Sequence, residues 1–155
     1  MCGIAGYISL EPNAVVNREP LKRMTDTLLH RGPDAEGFFH AQNVNLGHRR
    51  LSIIDLKTGN QPMYSDDKTL VVVFNGEIYN FLEIRTELEK LGHTFVTTSD
   101  TEVLIHSYKQ WGTSCVERFN GMWAFALWDS RNQRLFCSRD RLGEKPLFDE
   151  VLIIV

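Results

Sequence analysis

The sequence predicts one mixed α and β domain of layered build, on three observations. Apolar stripes at helical spacing alternate with short strand-like runs along the whole chain. Residues 122–128 (Met-Trp-Ala-Phe-Ala-Leu-Trp) are apolar at every position, which suits a strand buried on both faces and therefore a sheet with layers on either side. A chain of 155 residues that is 43% apolar and 24% charged can bury one core but is short for two complete domains.

The first strand is expected almost at the start, over residues 3–9. Leu21, Met24 and Leu28 recur at i, i+3 and i+7 and mark a helix that must stop before Gly32-Pro33, leaving Asp34 in a loop. Short strands follow near 37–41, 44–48 and 51–54, then a turn-rich stretch over 55–62 that contains Gly59-Asn60. Five apolar residues at 70–74 read as a buried strand. Phe81, Ile84, Leu88 and Leu91 form a second helical stripe, with Asn80 as N-cap, Glu83 three residues on and Gly92 past the end. Ser99-Asp100-Thr101-Glu102 is a capping-box pattern that opens a third helix, carried by Leu104, Tyr108 and Trp111 and stopped by Gly112, so Asp100 falls in a first turn. Residues 134–138 can return beside 122–128 through the turn at 130–133. No repeats, low-complexity stretches or linkers divide the chain.

Composition narrows the function. The formal charge is −3 and the basic residues are scattered singly, so no stripe invites a nucleic-acid partner. Cys2, Cys115 and Cys137 match neither a zinc site nor a disulfide framework, which fits a reducing, cytoplasmic setting. No signal segment is evident and no apolar run approaches the roughly 18 residues that span a bilayer, so no membrane partner is expected.

Removal of Met1 would give Cys2 a thiol and a free α-amine on one residue, a nucleophile with its own base. An amine of pKa about 7.7 to 8.0 beside a thiol of about 8.5 can accept the thiol proton near neutrality without any histidine. The bland alternative is an incidental small residue. Asn75-Gly76-Glu77 follows directly on the buried strand, so its groups are expected at a strand end. An Asn amide and a Gly N–H there are the donor types of an oxyanion hole, although Asn-Gly is also the strongest hairpin signal, and the two readings can coexist. Arg50 can hold a carboxylate through two parallel hydrogen bonds, with Arg49 on the opposite face of a strand. Glu77 and Asp100 can receive an ammonium, or remain a solvated charge and a helix-terminal charge. One cation and two anions amount to a clamp for an α-amino acid. His30-Arg31-Gly32-Pro33-Asp34 reads as a helix-stop loop in which Arg31 and Asp34 are structural ion partners. His40, His93 and His106 show no ligand spacing, and Gly143-Glu144-Lys145-Pro146 lacks the glycine spacing of a phosphate loop.

Met1-Cys2-Gly3-Ile4-Ala5-Gly6, His30-Arg31-Gly32-Pro33-Asp34, His48-Arg49-Arg50-Leu51-Ser52-Ile53-Ile54-Asp55, Asn75-Gly76-Glu77-Ile78-Tyr79-Asn80 and Ser99-Asp100-Thr101-Glu102, in that order, resemble the class II glutamine amidotransferases. The likeness is greatest to the glutaminase half of the glutamine-hydrolysing asparagine synthetases, because related subfamilies usually lack an acidic residue after Asn-Gly. Gly121-Met122-Trp123-Ala124-Phe125-Ala126 and Arg139-Asp140-Arg141-Leu142-Gly143-Glu144-Lys145-Pro146-Leu147 extend it, so the domain is expected over 1–148, with a divergent tail over 149–155.

The resemblance implies an α+β N-terminal-nucleophile hydrolase fold, a four-layer αββα sandwich. It also implies an enzyme in which Cys2 attacks the side-chain amide of L-glutamine, giving a tetrahedral intermediate, a γ-glutamyl thioester and ammonia before water releases glutamate. By the same likeness Asn75 and Gly76 form the oxyanion hole, Arg50 holds the α-carboxylate, Glu77 and Asp100 lie near the α-amino group, and backbone at Leu51, Ser52, Ile53 and Ile54 lines the pocket. The family continues beyond its Lys-Pro-Leu with an aromatic pair and further strands, whereas here Phe148 leads into Asp149-Glu150-Val151-Leu152-Ile153-Ile154-Val155. The C-terminal strands are therefore expected to be missing. No Ser-Gly-Gly-x-Asp stretch occurs, so the synthetase domain is expected to be absent with its ATP and Mg, and no cofactor is expected in this chain. Two functions follow: a glutaminase that delivers ammonia to a synthetase partner chain for amide or amine synthesis, or a truncated, non-catalytic module that binds glutamine or a partner.

Overall fold

The computed structural model of the protein describes residues 1–9, 17–51 and 59–150. Its strands are β1 (Gly3–Ile8), β2 (Ala35–His40), β3 (Val44–Arg50), β4 (Met63–Tyr64), β5 (Leu70–Ile78), β6 (Gly121–Asp129) and β7 (Arg134–Arg139). Its α-helices are α1 (Arg18–Asp26), α2 (Phe81–Lys90) and α3 (Asp100–Trp111), the last running into a 3₁₀ turn over Gly112–Arg118.

Two antiparallel sheets form, in the orders β1-β3-β2 and β4-β5-β6-β7. The pleat explains how they stack. Successive side chains of a strand face opposite ways, and Val72 and Phe74 of β5 join Trp123, Phe125 and Leu127 of β6 against Ile84 and Leu88 of α2 and Leu104 and Ile105 of α3. Val73, Ala126 and Trp128, on the other face, meet Val44 and Leu46 of β3, with Ile4, Ile8 and Phe39 at the margin. On the far side of the first sheet α1 buries Leu21 and Thr25, and a Cβ at Gly47 would stand 2.6 Å from Thr25 Cγ2. The order is helix, sheet, sheet, helix pair, which is the four-layer αββα sandwich expected from the resemblance.

Local differences have simple causes. Met24 lies outside the buried stripe of α1 and is exposed; Thr25 takes the inward position beside Leu21 because its hydroxyl is satisfied internally by the Leu21 carbonyl, 2.6 Å away. Asn80 precedes α2 but does not cap it. Its side chain instead donates to Arg118 O at 3.0 Å and accepts from Asn120 N at 2.9 Å, fastening α2 to the loop before β6. Ser99 does cap α3, accepting from Thr101 N at 3.1 Å, while Glu102 reaches past it to Val96 N and Thr97 N at 2.8 and 2.7 Å. The strand expected over 51–54 is not seen at Leu51, because β3 runs on to Arg50 and ends there; residues 52–54 lie outside the described residues. The tail over 151–155 does too. Among the described residues no helix is long and apolar enough to cross a membrane.

Candidate active site

Asn75-Gly76-Glu77 is neither a hairpin turn nor a strand end. β5 continues through it, pairing Asn75 with Ala124, Gly76 with Trp123 and Glu77 with Met122. Glycine permits this close approach, since a Cβ at Gly76 would stand 2.2 Å from the Met122 carbonyl oxygen. The opposite edge of β5 is paired with β4 only at Val71 and Val72, and beyond that side chains take over. The Gln61 amide pairs with Phe74 as a strand would, accepting from Phe74 N at 2.6 Å and donating to Phe74 O at 3.1 Å. Asp100 Oδ2 accepts from Ile78 N at 3.0 Å. Backbone N–H groups along a strand alternate in direction, so the Gly76 N–H, midway between Phe74 and Ile78, points out of this same open edge. Asn75, in step with Val73, turns its side chain toward the space between the sheets.

The mouth of that space holds Cys2. β1 pairs with β3 so that Gly3 lies opposite Arg49, which sets Cys2 level with Arg50 and its thiol against the next residue, Leu51. Leu51 N–H donates to Cys2 Sγ at 3.4 Å, and the thiol faces Leu51 O at 3.7 Å. Arg31 Nε donates to Cys2 O at 3.1 Å, so the loop that stops α1 fixes the backbone of Cys2. Gly32 is needed for that loop to lie against β3: a Cβ there would come within 2.3 Å of the Arg49 backbone.

A cavity of about 110 Å³ opens here, lined by Cys2, Arg50, Asn75, Gly76, Glu77 and Asp100 among others. Arg50, at the end of β3, is steadied by Asn60 Oδ1 at 2.8 Å. Arg49, one residue back, faces the other way and pairs with Asp26 and with Glu36 at 2.7 Å, as strand alternation requires. Asp100 is buried in the first turn of α3. Burial pushes its carboxyl above the usual carboxylate range, the neighbouring Glu77 charge pushes the same way, and the Ile78 and Thr101 N–H groups only partly offset them. Two carboxylates that repel each other in a partly dry cleft favour a cation between them. His48, in the strand that carries Arg50, donates its Nε2–H to Phe74 O (3.2 Å) from between the sheets; its pKa is lowered to about 4, first by burial and then by the Arg50 charge.

The structure brings together Cys2, Arg50, Leu51, Asn75, Gly76, Glu77 and Asp100 in one cavity, while Ser52, Ile53 and Ile54 lie outside the described residues. Sequence reasoning passed over four contributors. Asn60 and Gln61 read as turn residues, and Arg31 as an ion partner of Asp34. The fourth is Asp140, buried after β7, whose carboxylate gathers the N–H groups of Trp123, Leu142, Glu144 and Lys145 at 2.9 to 3.2 Å. Burial alone would raise its pKa, but those four donors hold it below the usual range. The tight turn so formed delivers Lys145 to the cavity wall. The Asp-x-x-Gly-x-Lys spacing from Asp140 to Lys145 was the available signal. Among the described residues no group of three or more His, Cys, Asp and Glu is arranged to hold a metal ion.

Residues 1–152 match the family model described as a glutamine amidotransferase domain. Glutamine-hydrolysing asparagine synthetase 3 of Bacillus subtilis (strain 168) is 46% identical over 151 residues, covering 96% of this chain and 24% of its own length. Glutamine-hydrolysing asparagine synthetase 1 of the same organism is 44% identical over 150 residues, with the same shares covered, 96% and 24%. The plant relative from Sandersonia aurantiaca is 42% identical over 148 residues, 96% of this chain and 28% of its own. The chain thus spans about a quarter of the length of the curated relatives it matches. A solved structure of glutamine phosphoribosylpyrophosphate amidotransferase from B. subtilis, complexed with ADP and GMP, aligns with TM-score 0.52 and 25% identity over 63% of this chain and 23% of that one.

Proposed function

This chain belongs to the glutamine amidotransferase domain family, and from that premise we propose that it hydrolyses the side-chain amide of L-glutamine and supplies the ammonia for a synthetase reaction. The observation that carries the reading is the convergence of Cys2, the Asn75 amide, the free edge of Gly76 and an Arg50/Glu77/Asp100 clamp on one cavity.

With Met1 removed, the α-amine of Cys2 takes the Sγ proton, and the thiolate attacks the amide carbon of glutamine. The carbonyl π electrons move onto oxygen, where Asn75 Nδ2 and the Gly76 N–H receive the charge; donors aimed at developing charge act most strongly where water is excluded. The C–N bond then breaks, the ammonium proton passes to the leaving nitrogen, and ammonia departs from a γ-glutamyl thioester. Water attacks next, giving its proton to the same amine, and glutamate leaves with the thiol restored. Arg50 binds the α-carboxylate, and Glu77 with Asp100 the α-ammonium, so glutamine enters side chain first toward Cys2. The ammonium also relieves the repulsion between the two carboxylates, which favours a zwitterionic amino acid over a simple amide.

The acceptor is inferred from the likeness to asparagine synthetases, whose remaining length exceeds this chain: the ammonia goes to an ATP-dependent aspartate-amidating synthetase, covalently joined or separate. A glutamate-release assay with the chain, compared with Cys2→Ala, tests the hydrolytic half. Release that depends on Cys2 supports it, and binding of glutamine without turnover supports a non-catalytic glutamine-binding module instead.

A further inference from the structure

Lys145 is buried, 4% exposed, yet its ammonium does not pair with any carboxylate among the described residues. Its hydrogen bond is to Met1 Sδ, at 2.8 Å. A thioether is a weak acceptor, and lysines are seldom buried unless paired, so this contact is a poor final partner for a charge. The backbone that carries it is nevertheless firmly placed. Lys145 N donates to Asp140 Oδ2 at 2.9 Å within the tight turn, and Pro146 follows. Met1 is also the residue whose removal the nucleophile requires.

We infer that Lys145 is a positioning residue for the nucleophile: when Met1 is gone, its ammonium faces the newly made α-amine of Cys2 and favours the free-base amine and the thiolate. The inference rests on the reading of Cys2 as an N-terminal nucleophile. A fixed positive charge disfavours a second one nearby and stabilises an adjacent anion, so both ionisations of Cys2 move toward lower pH. The other charged groups around the cavity have separate tasks. Arg31 holds the Cys2 carbonyl from the loop after α1, Arg50 at the end of β3 is held by Asn60 and faces the carboxylate subsite, and Glu77 on β5 and Asp100 on α3 face the ammonium subsite. Among the described residues that line the cavity, Lys145 is the cation that this division leaves over. In the reaction it acts through Cys2: an amine facing a cation gives its proton readily to the departing nitrogen when the C–N bond breaks.

The test uses the full chain, with loss of Met1 verified by intact mass, as wild type and as Lys145→Met, Lys145→Gln and Lys145→Arg. All four carry Cys137→Ser, because Cys137 is exposed and would also react. The rate of Cys2 alkylation by iodoacetamide is followed against pH without glutamine. The two neutral variants should shift the midpoint alkaline by about one unit, making alkylation below it roughly tenfold slower, and Lys145→Arg should keep the wild-type midpoint. Lys145→Gln carries the test if Lys145→Met does not fold. The acid limb of kcat/KM for glutamate release should move by the same amount with KM for glutamine unchanged. An unmoved midpoint in a folded neutral variant overturns the inference, as does a shift in Lys145→Arg equal to that in Lys145→Met. A wild type that releases no glutamate would count against the proposed function alone, since the alkylation profile still decides the role of Lys145.

Discussion

Replacing Gly76 with alanine adds a single carbon where β5 and β6 leave no room for it. The new Cβ would sit 2.2 Å from the Met122 carbonyl oxygen and 2.7 Å from Trp123 Cα, so the strands must part by roughly 1 Å at the Gly76–Trp123 pair. Such overpacking typically costs about 1–3 kcal/mol of stability. The catalytic loss is larger, because the same displacement carries the Gly76 N–H out of reach of the oxyanion, and losing one such donor costs about 2.7–4 kcal/mol, or 10²–10³ in kcat. Asn75→Ala makes the complementary perturbation: it deletes the other donor without forcing the strands apart. Glutamate release and thermal unfolding, measured on the same preparations, separate the two. Gly76→Ala should lose at least about a hundredfold in kcat together with a lowered melting temperature, and Asn75→Ala should lose a similar factor with a smaller change in melting. A folded Gly76→Ala variant with wild-type kcat would refute the placement of the oxyanion at this strand edge.

Other perturbations follow from the same geometry. Asp100→Asn should raise KM for glutamine by roughly tenfold to a hundredfold, since a charged hydrogen-bond partner is worth about 1.5–3 kcal/mol, while leaving kcat less affected. Because burial and Glu77 raise the Asp100 pKa, wild-type KM should begin to climb on acidification before an ordinary carboxylate would take up its proton, and Asp100→Asn should lack that rise; a pH profile of KM identical in wild type and Asp100→Asn would contradict the clamp. His48 has its pKa lowered from 6.5 to about 4, so the unfolded chain binds more protons in that window, and the stability present above pH 6.5 is lost as pH falls. At about 1.4 kcal/mol per unit the loss approaches about 3 kcal/mol by pH 4, and urea titrations of His48→Gln should lack that component. Asp140→Ala strips the acceptor from four backbone N–H groups and should destabilise by about 3 kcal/mol or more in chemical denaturation; a loss below about 1 kcal/mol would show that the turn holds itself.

The elements that periodicity controls were legible before folding. The stripe Phe81, Ile84, Leu88 marks α2, the Ser99 cap marks α3, and the unbroken apolar run at 122–128 announces a strand between two layers, because each of these signals is local or concerns only burial. What local pattern cannot convey is how one strand edge is finished by side chains from elsewhere. Asn75-Gly76 has the composition of a hairpin, and only the pairing of Gly76 with Trp123 turns it into strand. Gln61 imitates a neighbouring strand from a segment that reads as a turn. The ion pair expected between Arg31 and Asp34 gives way at Arg31 to a hydrogen bond on the Cys2 carbonyl, which depends on a loop packing against a distant strand. Cys2, Arg50, Glu77 and Asp100 were nameable because a thiol beside one cation and two anions is a reactive set whose residue types alone suggest an α-amino-acid site. Asn60, Gln61 and Asp140 were not, because they work by holding other residues and their identities carry no reactivity.

The proposed reaction turns on Cys2, freed of Met1, as its nucleophile. Intact-mass analysis of the purified chain, paired with glutamate release by wild type and by Cys2→Ala, addresses it directly. A mass lacking Met1, glutamate formation by the wild type and none by a folded Cys2→Ala chain are expected. Glutamate formed equally well by Cys2→Ala, or by a chain that fully retains Met1, would contradict it.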